Sequence, residues 1–253
     1  MIDLIVFSVE KNKYAISIDN IIRIVQGTDL RSVPTSHEYI DGIMSYEDSI
    51  IKVLNFRKVI NITTYEEELK KLFIELKKAH LSWIEALKDS LKNNEPFTKA
   101  INPHMCELGK WIDNFSCYDD EISVLLAELT EYHKKLHIRG GEVLEIYKEN
   151  KKEAAEIFNT DMKSIYKHTI DALDAFVLKM DRVSNSMQKL LIYEGQEKVF
   201  AVKIDSIDDI AHVNESDIMQ SDDDDSSEYL DVSGVLDLDG VLINVISQVR
   251  LPK

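Results

Sequence analysis

The stretch TYEEELKKLFIELKKAHLSWIEALKDSL, residues 64–91, marks the point where the sequence changes its periodicity. Apolar residues recur in it at spacings of three and four, which predicts one long amphipathic helix. Thr64 is a suitable N-cap, and the three glutamates that follow favour a helix start because the helix dipole attracts carboxylates. A helical region therefore begins here.

The segments on either side of the helical region read as strands. Short runs rich in β-branched residues are separated by polar turns before it, as in LIVFSV, YAISI and IIRIV. Strand character returns after Met187 with KLLIYEG, KVFAVKI and VLINVI. Each β segment is too short to form a stable core alone. We therefore predict an α+β fold in which one β domain, 1–62 and 188–253, is interrupted by a helical domain, 63–187.

The inserted region predicts a bundle of four helices with one polar face each. The first ends at Asn93-Asn94-Glu95-Pro96, and the other three cover about 104–115, 119–150 and 152–181. Gly140-Gly141 falls within the third helix, where each glycine costs about 1 kcal/mol relative to alanine. We interpret the pair as a kink or a close helix crossing.

Composition narrows the class of protein. The 253 residues carry a formal net charge of −16, which argues against binding to nucleic acid or to anionic membranes. No run approaches the roughly 18 apolar residues of a membrane span, and the N-terminus lacks signal-peptide features. We therefore expect no membrane insertion and a cytoplasmic location. The acidic run Asp222–Asp225 is interpreted as a solvated loop, since it lacks the spacing of a calcium loop.

The helical region holds both cysteines and five of the seven histidines. His133 and His137 are four residues apart, so both project from one side of a helix. With His80 on the apolar face of the first helix and Cys106 on the second, they offer three nitrogens and one sulfur. Zinc accepts such a set in tetrahedral coordination. The alternative is a bundle core without metal, because buried histidines and cysteines often only pack.

Three motifs carry a resemblance to a known family: HLSWIEAL (80–87), HMCELGKWI (104–112) and EYHKKLH (131–137). In order and spacing they resemble the signatures of the chemoreceptor zinc-binding (CZB) domain, a helical bundle with a three-histidine, one-cysteine zinc site. The resemblance covers about residues 65–185. It implies that the metal ligands are His80, Cys106, His133 and His137 and leaves His104 outside the set. It also implies a response to zinc or to oxidants such as hypochlorous acid.

The flanking segments resemble the CheW-like coupling fold, a pair of small five-stranded barrels. YAISIDNIIRIV (14–25), IIKVLNF (50–56) and YLDVSGVLDLDGVLINV (229–245) carry this resemblance. It implies a protein without an active site that joins chemoreceptors to the histidine kinase CheA. Where that family usually has an Asn-Leu-Arg-Gly turn, this sequence has Ser45-Tyr46-Glu47-Asp48. Glu47 thus stands where the family has an arginine that contacts the receptor or the kinase. The usual partner-binding surface therefore cannot be assumed for this chain.

These observations predict a non-catalytic chemotaxis adaptor with an inserted zinc-binding bundle whose Cys106 thiolate responds to zinc level or oxidant. Related bundles can form dimers, so a homodimer through the helices is a further expectation. One alternative is a structural zinc bundle in a scaffold without sensing. Another is a histidine phosphotransfer module using His168. A hydrolytic zinc enzyme would need an open coordination position and a nearby base, which the sequence does not offer. Cys117 is interpreted as a packing residue.

Overall fold

The structure is a computed structural model that describes residues 1–27, 30–34, 37–117, 119–220 and 227–252. It divides into a sheet unit, Met1–Tyr65 with Ser184–Lys253, and a helical unit, Glu66–Val183. These boundaries lie within a few residues of the domain limits expected from the sequence, which stay a prediction. The acidic run Asp222–Asp225 lies outside the described residues.

The sheet unit is built on two sheets and includes the short helix α1 (Phe56–Val59). One sheet has the strand order β8-β1-β2-β11-β10-β9, and the other has the order β3-β6-β7-β5-β4. The strands are β1 (Ile2–Val9), β2 (Asn12–Ser17), β3 (Ile21–Gln26), β4 (Ile40–Tyr46), β5 (Ser49–Asn55), β6 (Lys189–Glu194), β7 (Val199–Ile204), β8 (Ser206–Val213), β9 (Ile218–Met219), β10 (Leu230–Leu238) and β11 (Val241–Val249).

Each sheet combines strands from both sides of the helical insertion. In the first sheet β2 and β11 pair in parallel, with Ala15 opposite Val245. In the second sheet β5 and β7 do the same, with Val53 opposite Ala201. A shared apolar core includes Phe7 from the first sheet and Leu191 from the second. The two β segments therefore form one folded unit, which confirms the predicted α+β fold with a helical insertion.

The sheets differ from the two closed five-stranded barrels that the resemblance implied. Within the described ranges, the strand pairings close neither sheet. Closure requires the edge strands of a sheet to meet, and β9, one edge of the first sheet, has only two residues. In the second sheet, the outer edge of β4 is occupied at Ile43, which exchanges backbone hydrogen bonds with Arg31 at 2.9 and 3.0 Å.

The helical unit is built on two long helices with shorter elements between and after them. Both long helices match their predicted ranges to within two residues. No helix among the described residues combines the length and apolar character needed to cross a membrane. The helices are α2 (Tyr65–Asn93), α3 (Glu107–Asn114), α4 (Asp120–Glu149), α5 (Lys151–Ile157), α6 (Lys163–Val177) and α7 (Met180–Met187).

The prediction of one continuous helix over 152–181 is wrong. A π turn at Phe158–Met162 separates α5 from α6, and α6 ends at Val177. Ala154, Phe158 and Met162 are all buried and follow each other at intervals of four. Since an α-helix has 3.6 residues per turn, this spacing would rotate away from the core, and the π turn absorbs the difference.

A buried cation joins the segments of the sheet unit that flank the insertion in sequence. Arg57 in α1 is 1% exposed. Its Nε and Nη2 donate to the Asp205 carboxylate at 2.8 and 2.6 Å, and its Nη1 donates to the Thr63 carbonyl at 2.8 Å. Gln188 Nε2 donates to the same carboxylate at 3.0 Å. Thr63 precedes the helical unit in the sequence and Gln188 follows it. The Arg57–Asp205 ion pair therefore connects the two segments of the sheet unit near the points where the insertion interrupts them.

Candidate metal centre

Four side chains from three parts of the helical unit converge on one point. His80 comes from α2, Cys106 from the turn before α3, and His133 and His137 from α4. One ligand atom of each lies within 4.8 Å of the others. The three imidazoles are at most 3% exposed, and Cys106 is half-buried. The structure thus brings together the four residues that the CZB resemblance implied as ligands.

His80 is oriented by its own helix. Its Nδ1 lies 2.7 Å from the Leu76 carbonyl oxygen, one turn earlier in α2. Because a carbonyl only accepts hydrogen bonds, Nδ1 carries the proton and Nε2 keeps its lone pair. That Nε2 lies 3.9 Å from Cys106 Sγ.

Cys106 lies at the N-cap of α3 rather than within the helix that the sequence predicted. A 3-10 turn at Pro103–Met105 precedes it, and its Sγ accepts the backbone N–H of Gly109 at 3.3 Å. A Cβ on Gly109 would lie 1.8 Å from the Pro103 carbonyl oxygen. Glycine is therefore required for this turn, a role that the sequence analysis missed although the residue stands within the CELG motif.

The two histidines of α4 complete the cluster. His133 Nε2 lies 3.1 Å from Cys106 Sγ. His137 Nδ1 lies 3.1 Å from the Ala100 carbonyl oxygen, so its Nε2 bears the lone pair. Among the described residues His137 Nε2 is buried without a hydrogen-bond partner. A buried polar atom left in this way costs about 1–3 kcal/mol, a cost that a bound metal would remove.

The cluster fits a tetrahedral zinc ion. Zinc bonds of about 2.0–2.3 Å place the ligand atoms roughly 3.3–3.8 Å apart. The two distances from Cys106 Sγ to imidazole nitrogens, 3.1 and 3.9 Å, bracket that range. Three neutral imidazoles and one thiolate are donors that zinc prefers.

Burial also lowers the pKa values of the three imidazoles, which favours the neutral form that binds a metal. Desolvation, with a smaller contribution from the neighbouring histidines, lowers the pKa of His133 to about 3 and that of His137 to about 4. Desolvation lowers the pKa of His80 as well. The three rings are therefore neutral at pH 7 and can donate lone pairs. Burial raises the pKa of the Cys106 thiol, so metal binding has to displace that proton.

The metal-free protein is expected to lose stability as the pH falls. Unfolded histidines bind protons near their ordinary pKa of 6.5, whereas folded His133 and His137 bind them only near 3 and 4. The unfolded state therefore binds more protons throughout this interval. The contribution of these rings is complete above about pH 6.5 and declines down to about pH 3, the folded pKa of His133.

Urea unfolding of chelator-treated protein, followed by helical circular dichroism, measures this dependence. The matched variant is His133→Ala, which removes one of the two rings and should make the stability less dependent on pH. A wild-type stability that is flat between about pH 7.5 and pH 5 would contradict the prediction.

Trp111, Cys117 and His168 lie outside the cluster. Trp111 packs against Phe73 with ring centroids 4.8 Å apart, as a core residue does. Cys117 accepts a hydrogen bond from the Asp119 backbone N–H at 3.3 Å, at the start of α4. His168 is exposed on α6 and stacks on Tyr132.

Comparisons with known proteins match two adjoining parts of the chain. The family model of the chemoreceptor zinc-binding domain matches residues 80–144, and that of the CheW-like domain matches residues 3–81. The chain thus contains one segment that matches the CheW-like domain and one that matches the CZB domain. Both resemblances expected from the motifs are thus confirmed, and so is zinc as the cofactor of this class of domain.

The individual relatives are distant in sequence. The "Chemotaxis protein CheW" of Thermotoga maritima is 25% identical over 72 residues, which are 28% of this chain and 48% of the relative. The match thus spans about half the length of that curated relative. The crystal structure of the scaffolding protein TtCheW from Thermoanaerobacter tengcongensis aligns with a TM-score of 0.45 and 11% identity, over 98% of this chain and 89% of that one.

Proposed function

We propose that this protein is a non-catalytic chemotaxis adaptor that couples chemoreceptors to the histidine kinase CheA and binds one zinc ion through His80, Cys106, His133 and His137. The observation that carries the proposal is the convergence of these four ligand atoms within 4.8 Å in a CZB domain. The CheW-like match over residues 3–81, most of which lie in the sheet unit, supports the coupling role.

The donor set favours a sensor or a structural site over a hydrolytic enzyme. Four protein ligands fill a tetrahedral zinc ion and leave no position for water or substrate. Catalytic zinc sites instead keep such a position open. A site closed in this way can change its state only by losing a ligand or the metal.

Cys106 is the ligand that an oxidant can remove. A bound zinc ion would keep this thiol deprotonated, against the effect of burial on its pKa. The thiolate and hypochlorous acid react to give a sulfenic acid and chloride. The sulfur loses two electrons, the chlorine gains them, and the hydroxyl group ends on the sulfur. Because Cys106 caps α3, its oxidation would remove one metal ligand and one helix cap together.

The surface that contacts partners belongs to the proposal as well. Glu47 lies at the exposed turn between β4 and β5, with a positive φ of 49°. A carboxylate at this turn has the opposite charge to the arginine that is usual in the CheW-like family. The surface of the partner that contacts this turn should therefore be basic. We further propose a cytoplasmic location, where Cys106 stays reduced until an oxidant arrives, and dimerisation through the helices.

Metal content before and after oxidation tests the sensing proposal. Protein purified without a histidine tag is expected to contain one zinc per chain and to release it with about one equivalent of hypochlorous acid. Cys106→Ser should hold zinc at least about tenfold more weakly, because it lacks the thiolate ligand. The matched control is Cys117→Ser, which should bind and release zinc like the wild type.

The outcomes separate the alternatives. Zinc that survives oxidation would mean a structural site in a scaffold without redox sensing. Wild-type protein without zinc would refute the metal centre. Binding of purified CheA and of a receptor signalling domain, measured by calorimetry with and without oxidant, tests the coupling role. If neither partner binds in either state, the adaptor function is wrong.

A further inference from the structure

The carbonyl oxygen of Ala100 receives two side-chain hydrogen bonds beside the metal cluster. It accepts the indole N–H of Trp83 at 2.8 Å and the Nδ1–H of His137 at 3.1 Å. Ala100 belongs to the irregular segment between α2 and the 3-10 turn. One backbone atom of this segment therefore links a tryptophan of α2 to a ligand-bearing ring of α4.

This carbonyl selects the tautomer of His137. Since it can only accept, the proton stays on Nδ1 and the lone pair on Nε2. Among the described residues Nε2 is buried without a hydrogen-bond partner, so it is the nitrogen that can serve as the ligand atom of His137. The position of the Ala100 carbonyl oxygen thus fixes the orientation of the His137 ring and the direction of its Nε2 lone pair.

The indole of Trp83 is itself tightly held. The side chain is 5% exposed, and its ring centroid lies 4.9 Å from that of His137 and 5.4 Å from that of Phe97. A Cβ on Gly140 would lie 2.3 Å from the Cη2 atom of Trp83. The absence of a side chain at Gly140 gives the indole its room.

The second glycine of the pair, Gly141, lies against the segment that contains Ala100. A Cβ on Gly141 would lie 2.8 Å from the Cγ2 atom of Ile101, the residue after Ala100. Helix α4 runs unbroken through both glycines. The pair leaves room against the helix for the Trp83 indole and the Ile101 side chain.

We propose that Trp83 is a positioning residue of the zinc centre, which acts through the Ala100 carbonyl on His137 and depends on the space left by Gly140. The inference rests on the proposed zinc site and adds residues outside the ligand set. Partners that orient metal-bound histidines typically contribute 10- to 100-fold to metal affinity. Trp83→Phe keeps an aromatic ring and removes the N–H, so it should weaken zinc binding by about 10-fold or more.

The matched control is Trp111→Phe, because Trp111 lies in the same unit but packs among phenylalanines. Zinc affinity is measured on the full chain by competition with a chromophoric chelator. The visible absorption spectrum of the cobalt-substituted protein reports ligand geometry separately. Trp83→Phe should lower the affinity and shift the cobalt bands while one metal still binds per chain, and Trp111→Phe should do neither.

Two results would overturn the proposal: unchanged affinity in Trp83→Phe, or equal losses in both variants. Failure of the wild type to bind zinc or cobalt would instead refute the underlying function. If Trp83→Phe does not fold, indole N–H exchange in the wild type gives the answer. Since coupling is reciprocal, zinc should slow exchange at Trp83 by about 10-fold or more and leave Trp111 unchanged. Equal slowing at both indoles would count against it.

Discussion

Replacing His133 with alanine is expected to weaken zinc binding by about 100- to 1,000-fold. Structural zinc sites with four ligands bind with about 10–16 kcal/mol, so each ligand accounts for roughly 2.5–4 kcal/mol. His133 is the most central of the four, with its Nε2 3.1 Å from Cys106 Sγ and its ring beside those of His80 and His137. Water is a poor substitute here because the position is 1% exposed.

Chelator competition at neutral pH measures this loss. His104→Ala is the control, because His104 lies two residues from Cys106 yet pairs with Asp113 on the surface. It should change the affinity by less than about threefold. Comparable losses in the two variants would mean that the metal, if bound, uses a different set of ligands.

Replacing Arg57 with methionine is expected to lower the free energy of unfolding of the sheet unit by about 3–5 kcal/mol. Breaking a buried ion pair from one side leaves the other charge without its partner, a loss of that size. Asp205 is only 14% exposed and would keep Gln188 and a backbone N–H as its remaining partners. Methionine retains most of the buried volume, so the charge is the main change.

Urea unfolding monitored on the sheet signal measures the effect. Lys13→Met is the matched control: its pair with Asp208 has a similar length, 2.7 Å, but its side chain is 35% exposed. Exposed pairs contribute about 0–1 kcal/mol. A loss below about 1 kcal/mol in Arg57→Met would show that the sheet unit does not depend on this ion pair.

Local signals, together with the resemblance to the CZB domain, explain why the cluster could be anticipated from the sequence. The spacing of His133 and His137 places both on one face of α4, and the apolar periodicity around His80 buries it in α2. The ranges of these two helices were predictable because their periodicity is continuous. Cys106 was expected within a helix, since residue type does not show that its Sγ caps α3.

Other features depend on contacts that residue identity does not encode. The Ala100 carbonyl orients His137 through a backbone atom, and any residue at position 100 carries the same atom. The π turn at Phe158–Met162 adjusts a register that only the packed core defines. Open sheets were found where closed barrels were expected. The edges of the sheets depend on the pairing of Arg31 with Ile43 and on the short strand β9, and the alternation of apolar residues reveals neither.

The parallel pairing of β2 with β11 and of β5 with β7 constrains the order of folding during synthesis. Strands β1 to β5 leave the ribosome before the helical unit, and their partners follow only after it. The helices make mostly local contacts and can fold first. Meanwhile the early strands keep unpaired edges, which are prone to association with other chains. The nascent protein is thus most vulnerable to aggregation before its last strands emerge, although its helices are already complete.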